Sequence, residues 1–224
     1  MAPPAPAEAP DAALQRLLSA SRDDDHQAWA RLAELWQIPV DAAGLAQLAA
    51  CEGAIGEGIY CLRASGPLGR LSKLNRPVIL RLRKDSGFTS ALLLGLDDVH
   101  ARLDIGGERL TLPRSLIELH WFGDYRALWR APEFVPTVLR VGDRGPGVAW
   151  VRERLAGAEV QEGLDGPVVN SEEFDAELER RLRRLQIRLG LVADGIAGSE
   201  TQMALASYDA LGPRLARLDM PPRG

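Results

Sequence analysis

The sequence has no apolar run approaching the ~20 residues that cross a bilayer, so no stretch of it reads as a spanning helix. It has no excess of basic residues either: 27 Lys and Arg stand against 31 Asp and Glu, for a net charge of −4. A general nucleic-acid binder carries a basic balance or stripe, and here the arginines are dispersed among acids, so no nucleic acid is expected as partner. Histidine is scarce. His26, His100 and His120 stand apart, with no His or Cys pair at ligand spacing, which argues against a metal site. There is no GxxxxGKS/T phosphate loop, and no cofactor is expected. The opening MAPPAPAEAPDAA lacks the basic start and apolar centre of a secretory leader. It reads as an extended Pro/Ala tether, and a targeting segment upstream of it is expected.

What is present suits two packed domains. Hydrophobic residues make up 46% of 224, enough for a core, and 26% are charged. In residues 26 to 50, Trp29, Leu32, Leu35 and Trp36 recur at helical spacing, Pro39 ends that helix, and Asp41 can cap a second carrying Leu45 and Leu48. From 58 to 130 the period shortens. GIYCLRA, RPVILRLRK, SALLLGL, VHARLDI and ERLTLP are alternating or β-branched runs separated by DD and GG, and they predict an antiparallel sheet with tight hairpins. A short helix from Pro113 and a last strand, DYRALWR, complete an α+β domain.

APEFVPT reads as a linker, after which the helical period returns. Pro146 starts one helix with Val148, Val151 and Leu155 inside. A second aligns Phe174, Leu178, Leu182, Leu185 and Leu189, with Asn170 and Glu173 predicted as a capping box. Ser199 and Gln202 predict a capping box for a third helix, which places Met203 in the core. The RRLRR run at 180 to 184 reads as a solvated face around Leu182, and the aromatics of HWFGDYRALW read as core.

GLVADGIAG, before the third helix, is dense in turn chemistry. Asp194 can bond backbone two residues on, Gly195 can take positive φ, and Gly198 allows a second bend. The result is a rigid corner presenting Ile196 beside a helix start, where anions are favoured.

Cys51 and Cys61 are the only cysteines. They are thiols in a reducing compartment and close enough in sequence to bridge in an oxidising one.

The segments LRVGDRGPGVAWVRERL and LQIRLGLVADGIAG, followed by Thr201 and Leu205, together resemble the peptidoglycan-binding domain of bacterial wall hydrolases. Departures from that pattern are Leu185 for the usual Phe, Ser199 for a frequent Pro, and a longer acidic middle stretch. WARLAELWQIPVD, the run ACEGAIGEGIYCLRASGPLGRLSKLNRPVILRL, and LHWFGDYRALWR resemble the region preceding that module in the general secretion pathway protein A (ExeA/GspA) family.

The same region is distantly similar to bacteriocin-processing cysteine peptidases, a papain-like group. The resemblance implies a degenerate papain-like α+β domain (N-terminal helices plus antiparallel sheet), then a small three-helix peptidoglycan-binding domain. The boundaries are a tether at 1–22, domains at 23–131 and 138–212, a linker at 132–137 and a tail at 213–224. It implies a periplasmic location, with the membrane helix and ATPase outside this sequence. The implied partners are peptidoglycan, an inner-membrane protein of the GspB/ExeB type and, indirectly, the secretin of type II secretion. A homo-oligomer is left open.

The implied wall-binding residues are Asp143, Arg144, Gln186, Asp194, Gly195, Ile196, Gly198 and Thr201, with Arg144 and helix-start amides taking a stem-peptide carboxylate. In the peptidase pattern the nucleophile falls near Asp24 and the histidine at Thr89, so neither is matched, and Asp104 at the third position has no ring to orient. The implication is a scaffold with no catalytic residues, in which the periplasmic setting favours a Cys51–Cys61 bridge. Two readings stand as alternatives: an active cysteine peptidase or wall hydrolase, and a purely partner-binding structural domain.

Overall fold

A computed structural model describes residues 8–21, 26–56, 58–209 and 211–218. The chain divides into two compact units. One comprises residues up to Ala50, Arg76–Arg126 and those from Pro213; the other comprises Cys51–Asn75 and Ala127–Gly212.

The first unit holds α1 (Pro10–Ala20), α2 (His26–Leu35), α3 (Ala42–Ala50), then strands that the numbering of β1 and β2 precedes in sequence: β3 (Val78–Lys84), β4 (Gly87–Leu96), β5 (His100–Ile105) and β6 (Glu108–Pro113), with α5 (Arg114–Glu118) after them. The second holds β1 (Gly53–Gly56), β2 (Ile59–Ser65), α4 (Leu68–Leu74), α6 (Pro146–Glu162), α7 (Ala176–Leu189) and α8 (Ser199–Ser207). Strand β7 (Trp121–Arg130) begins in the first unit and ends in the second, and the strand order is β1-β2-β7-β3-β4-β5-β6.

The expected hairpins form for the expected reasons. In β3, Leu80 and Leu82 are buried while Arg81 and Arg83 point outward, the period of two that a half-buried strand requires. The β5–β6 turn carries Gly106 at φ +61° and Gly107 at φ +88°, the double positive φ that lets a two-residue loop match strand twist. At the β4–β5 turn Asp97 Oδ1 accepts the amides of Val99 at 2.7 Å and His100 at 2.6 Å. Those bonds hold its carboxyl below the usual range. Helix α3 is capped as predicted, with Asp41 Oδ1 accepting the Gly44 amide at 2.8 Å.

Six expectations are corrected. Residues 10–20 are not tether: α1 buries Ala13, Leu14, Leu17 and Leu18, an amphipathic stripe that an extended chain would leave in water. Residues 1–7 of the tether lie outside the described residues. The tail is not all free either, because the Ala216 amide donates to Leu94 O at 2.8 Å. Ala216 and Leu218 lie where a side chain on Gly95 would be.

The Asn170–Glu173 box does not cap α7. Asp175 does, its carboxylate accepting the Leu178 amide at 2.7 Å, so Phe174 is buried from the preceding loop. Ser199 is not a cap: Gly198 is the N-cap of α8, and Gln202 turns its amide to Pro136 O and Ala197 O, each at 2.8 Å.

Helix α7 buries residues 178, 181, 182, 185, 186 and 189. This is a regular i, i+3, i+4 stripe, and it contains Arg181 and Gln186. Arg181 is therefore not on a solvated face. It forms a two-bond ion pair with Glu159 of α6, Nε to Oε1 at 3.1 Å and Nη2 to Oε2 at 2.5 Å, with both side chains at most 2% exposed. Arg180, Arg183 and Arg184 do reach solvent. Of the aromatics read as core, Trp121 and Trp129 are buried but Phe122 is 63% exposed. Cys51 and Cys61, both in the second unit, are joined in a disulfide.

Candidate functional site

The corner is built around Gln186. Its position on the buried stripe of α7 leaves its amide 1% exposed, so every polar atom of it needs a protein partner. Gln186 Oε1 accepts the Gly195 amide at 2.8 Å. Its Nε2 lies 3.0 Å from each of Asp194 Oδ1, Ile196 O and Thr201 Oγ1. Asp194 adds the predicted turn bond, its Oδ1 accepting the Ile196 amide at 2.9 Å. Arg183 closes the outside by donating to Asp194 O at 3.1 Å. Gly195 sits at φ +76°, and a Cβ there would meet Glu179 Cγ at 2.5 Å, so the turn lies directly on α7. Beyond it, Leu139 and Ala197 exchange backbone bonds at 3.2 and 2.8 Å, fastening the loop to the entry of the three-helix region.

Gln186, Asp194, Gly195, Ile196 and Thr201 thus come together in one cluster. Within it Gln186, Gly195 and Thr201 are buried, and Asp194 and Ile196 are the residues that reach solvent. Asp143 and Arg144 belong to a second cluster. Asp143 Oδ2 accepts the Arg140 amide at 2.8 Å, and Arg144, 73% exposed, pairs with Glu173 at 2.9 Å. Gly198 begins α8, whose first turn already carries a carboxylate: Glu200 pairs with Arg70 of α4 at 2.9 Å.

Three residues missed from the sequence hold these clusters. Arg152, 4% exposed, donates to Glu173 O and Asp175 Oδ2, both at 2.7 Å. Arg70 also donates to Gly190 O at 2.6 Å, and Lys73 to Arg188 O, placing two cations on the C-terminal carbonyls of α7. Arg181 and Gln186 could have been found as buried by extending the period of α7 through its polar residues. Arg70 and Lys73 had no local signal, because their partners are more than a hundred residues away.

In the first unit Thr89 is buried on β4, and Asp104 on β5 turns Oδ1 to the Gly107 amide at 3.0 Å and lies 3.6 Å from Arg109. Asp104 therefore closes its own hairpin. Asp24 lies outside the described residues. His120 Nδ1 is 3.1 Å from Arg83 O, and His100 Nδ1 is 3.9 Å from Asp97. Among the described residues no three His, Cys, Asp or Glu side chains cluster as metal ligands, and no helix is long and apolar enough to cross a membrane.

An α+β region followed by three helices around a riveted turn defines a two-part class. Residues 14–131 match the family model described as GspA, peptidase C39-like domain, and residues 144–205 match that of a putative peptidoglycan binding domain. The chain belongs to the GspA, peptidase C39-like domain family. It is 29% identical over 197 residues to general secretion pathway protein A of Aeromonas hydrophila. That match covers 88% of this chain and 32% of the relative, so the chain spans about a third of that protein's length. Its fold is similar to a periplasmic domain of the EpsAB fusion protein of the Vibrio vulnificus type II secretion system. There the TM-score is 0.55 at 26% identity, over 86% of this chain and 82% of that one.

Proposed function

We propose that this chain is a non-catalytic, periplasmic peptidoglycan-binding module that helps position the type II secretion secretin through the cell wall. The observation that carries this reading is the Gln186-riveted turn within the region matched by the peptidoglycan-binding model. Its hydrogen bonds hold the backbone of 194–196 in one shape before any ligand arrives, which lowers the ordering cost of binding. The solvent-facing groups are the Asp194 carboxylate edge, the half-buried Ile196 and, in the neighbouring cluster, the Arg144 guanidinium. Arg144 suits a stem-peptide carboxylate, and Asp194 suits sugar hydroxyls or stem-peptide amines. Gln186, Gly195 and Thr201 act by shaping the turn, and Asp143 and Gly198 by setting the loops on either side.

The non-catalytic part is supported by both cysteines being joined to each other, and by Thr89 standing where the resemblance places the histidine. A GspB/ExeB-type protein is the proposed inner-membrane partner, on the strength of the family alone.

Co-sedimentation with purified sacculi tests the reading. The chain is expected in the pellet, with R144Q lowering the retained fraction by about threefold, as loss of one exposed charge-assisted bond implies. A chain that stays in the supernatant overturns it.

A further inference from the structure

The first unit contains a cavity of about 610 Å³ that the wall-binding reading does not use. It is bounded by Gln15, Leu18 and Ser19 of α1, by Arg83, Lys84, Asp85 and Ser86 at the β3–β4 turn, so that one carboxylate stands among its cations, and by Leu119, His120 and Phe122 where α5 leads into β7. The walls are tied together. His120 Nδ1 approaches Arg83 O at 3.1 Å, the Gln15 amide nitrogen is 3.3 Å from His120 Nε2, and Lys84 donates to Ser21 O at 2.6 Å. Backbone bonding continues the tie, with the Arg83 amide on His120 O at 2.7 Å. The cavity is thus a feature of the packed unit.

Two features of its lining bear on what it could hold. The arginines Arg16, Arg31, Arg144, Arg180 and Arg188 each meet a carboxylate of this chain. Arg83 instead lies against the ring of Phe122, 5.9 Å from its centroid, with no carboxylate partner among the described residues. A guanidinium resting on an aromatic face keeps its donor edge available for a planar carboxylate. Second, two large apolar side chains stand at the same rim in water, Leu119 at 70% and Phe122 at 63% exposed. Cation and apolar surface within one residue's reach complement an acidic residue next to an aliphatic or aromatic one, as a protein segment supplies and a glycan does not. The volume lies within the range of sites that enclose a small ligand or a few residues of a peptide.

We propose that this cavity docks an acidic, partly apolar peptide segment of a partner protein. Arg83 takes a carboxylate, and Phe122 and Leu119 receive the neighbouring apolar side chain. The site is independent of wall binding at the corner.

The test uses the full chain and two fluorescein-labelled probes, Glu-Phe-Glu-Leu-Glu and Lys-Phe-Lys-Leu-Lys, read by fluorescence anisotropy. The acidic probe is expected to bind at least about tenfold tighter than the basic one, and to weaken as salt rises from about 25 to 150 mM. R83Q and F122S, both at exposed positions, are each expected to weaken the acidic probe by about fivefold or more while leaving sacculus retention unchanged. Equal affinity for the two probes, or variant affinities within about twofold of the parent, overturns the proposal. So does a loss of sacculus retention in R83Q or F122S, which would make the cavity part of the wall-binding surface. So does a rise of about tenfold in acidic-probe affinity on neutralising Asp23, Asp24 and Asp25, which would make the chain's own acidic run the occupant.

Discussion

Gln186 on α7 and Gly195 in the following turn are joined by a 2.8 Å hydrogen bond from the glycine amide to the glutamine carbonyl, with both residues buried. The bond makes the turn an extension of the helix that precedes it. Two changes separate shape from contact. Q186L leaves the Gly195 amide and Thr201 hydroxyl without their buried partner, and a lost buried polar partner costs about 1–3 kcal/mol each. A destabilisation of roughly 3 kcal/mol is expected by urea unfolding. R144Q, at an exposed side chain, is expected within about 0.5 kcal/mol of the parent. If Q186L unfolds at the parent's urea midpoint, the turn is not held by this residue.

The Arg181–Glu159 pair is sealed from solvent, so its halves are expected to behave very differently together and apart. E159L alone strands a buried guanidinium, at a cost of about 3–5 kcal/mol. The double change R181M/E159L removes both charges and is expected to recover most of that loss, to within about 1 kcal/mol of the parent. Urea midpoints for the four members of the cycle measure the coupling.

The disulfide closes a loop with a sequence separation of 10. For a loop of this size chain entropy alone predicts a stabilisation of about 2.5 kcal/mol. Reduction, or the C51S/C61S variant, should lower the thermal midpoint accordingly. Intact mass should rise by about two hydrogens on reduction, from one S–S bond to two S–H groups.

Asp175 links pH to the start of α7. The Leu178 amide, and after it Arg152, hold its carboxyl below the ordinary value, against an opposing effect of burial. A depressed folded-state pKa stabilises above the unfolded value of about 4, and that contribution is lost as pH falls through the lower folded value. Stability is therefore expected to decline with acid below about pH 4. D175N, which caps without titrating, should decline less steeply. Equal slopes for the two proteins would show that this cap is not coupled to the proton.

Much of the fold was legible because it is local. Alternation from Leu80 to Arg83 and the Gly106–Gly107 pair specify strands and a turn from a few neighbouring residues. The Asp194–Gly195 turn was legible for the same reason, since its bond to Ile196 spans two residues. The misreadings lie at ends and between distant segments. The Asn170–Glu173 pattern is a sound capping box by spacing, yet the chain delays the helix to Asp175, because Arg152 of α6 draws in Glu173 O and the Asp175 carboxylate together. Helix α1 was hidden by flanking Pro and Ala, and only the apolar wall it packs against makes Leu14 and Leu18 worth ordering.

By itself the sequence determined many of the helices and strands, the chemistry of several turns and the family pattern, because periodicity and φ preference act over a few residues. Tertiary structure alone decided what satisfies the polar residues that lie inside. Arg181, Gln186 and Arg152 could each have been surface groups, and what commits them is a partner on another element that satisfies their hydrogen bonds once water has been excluded.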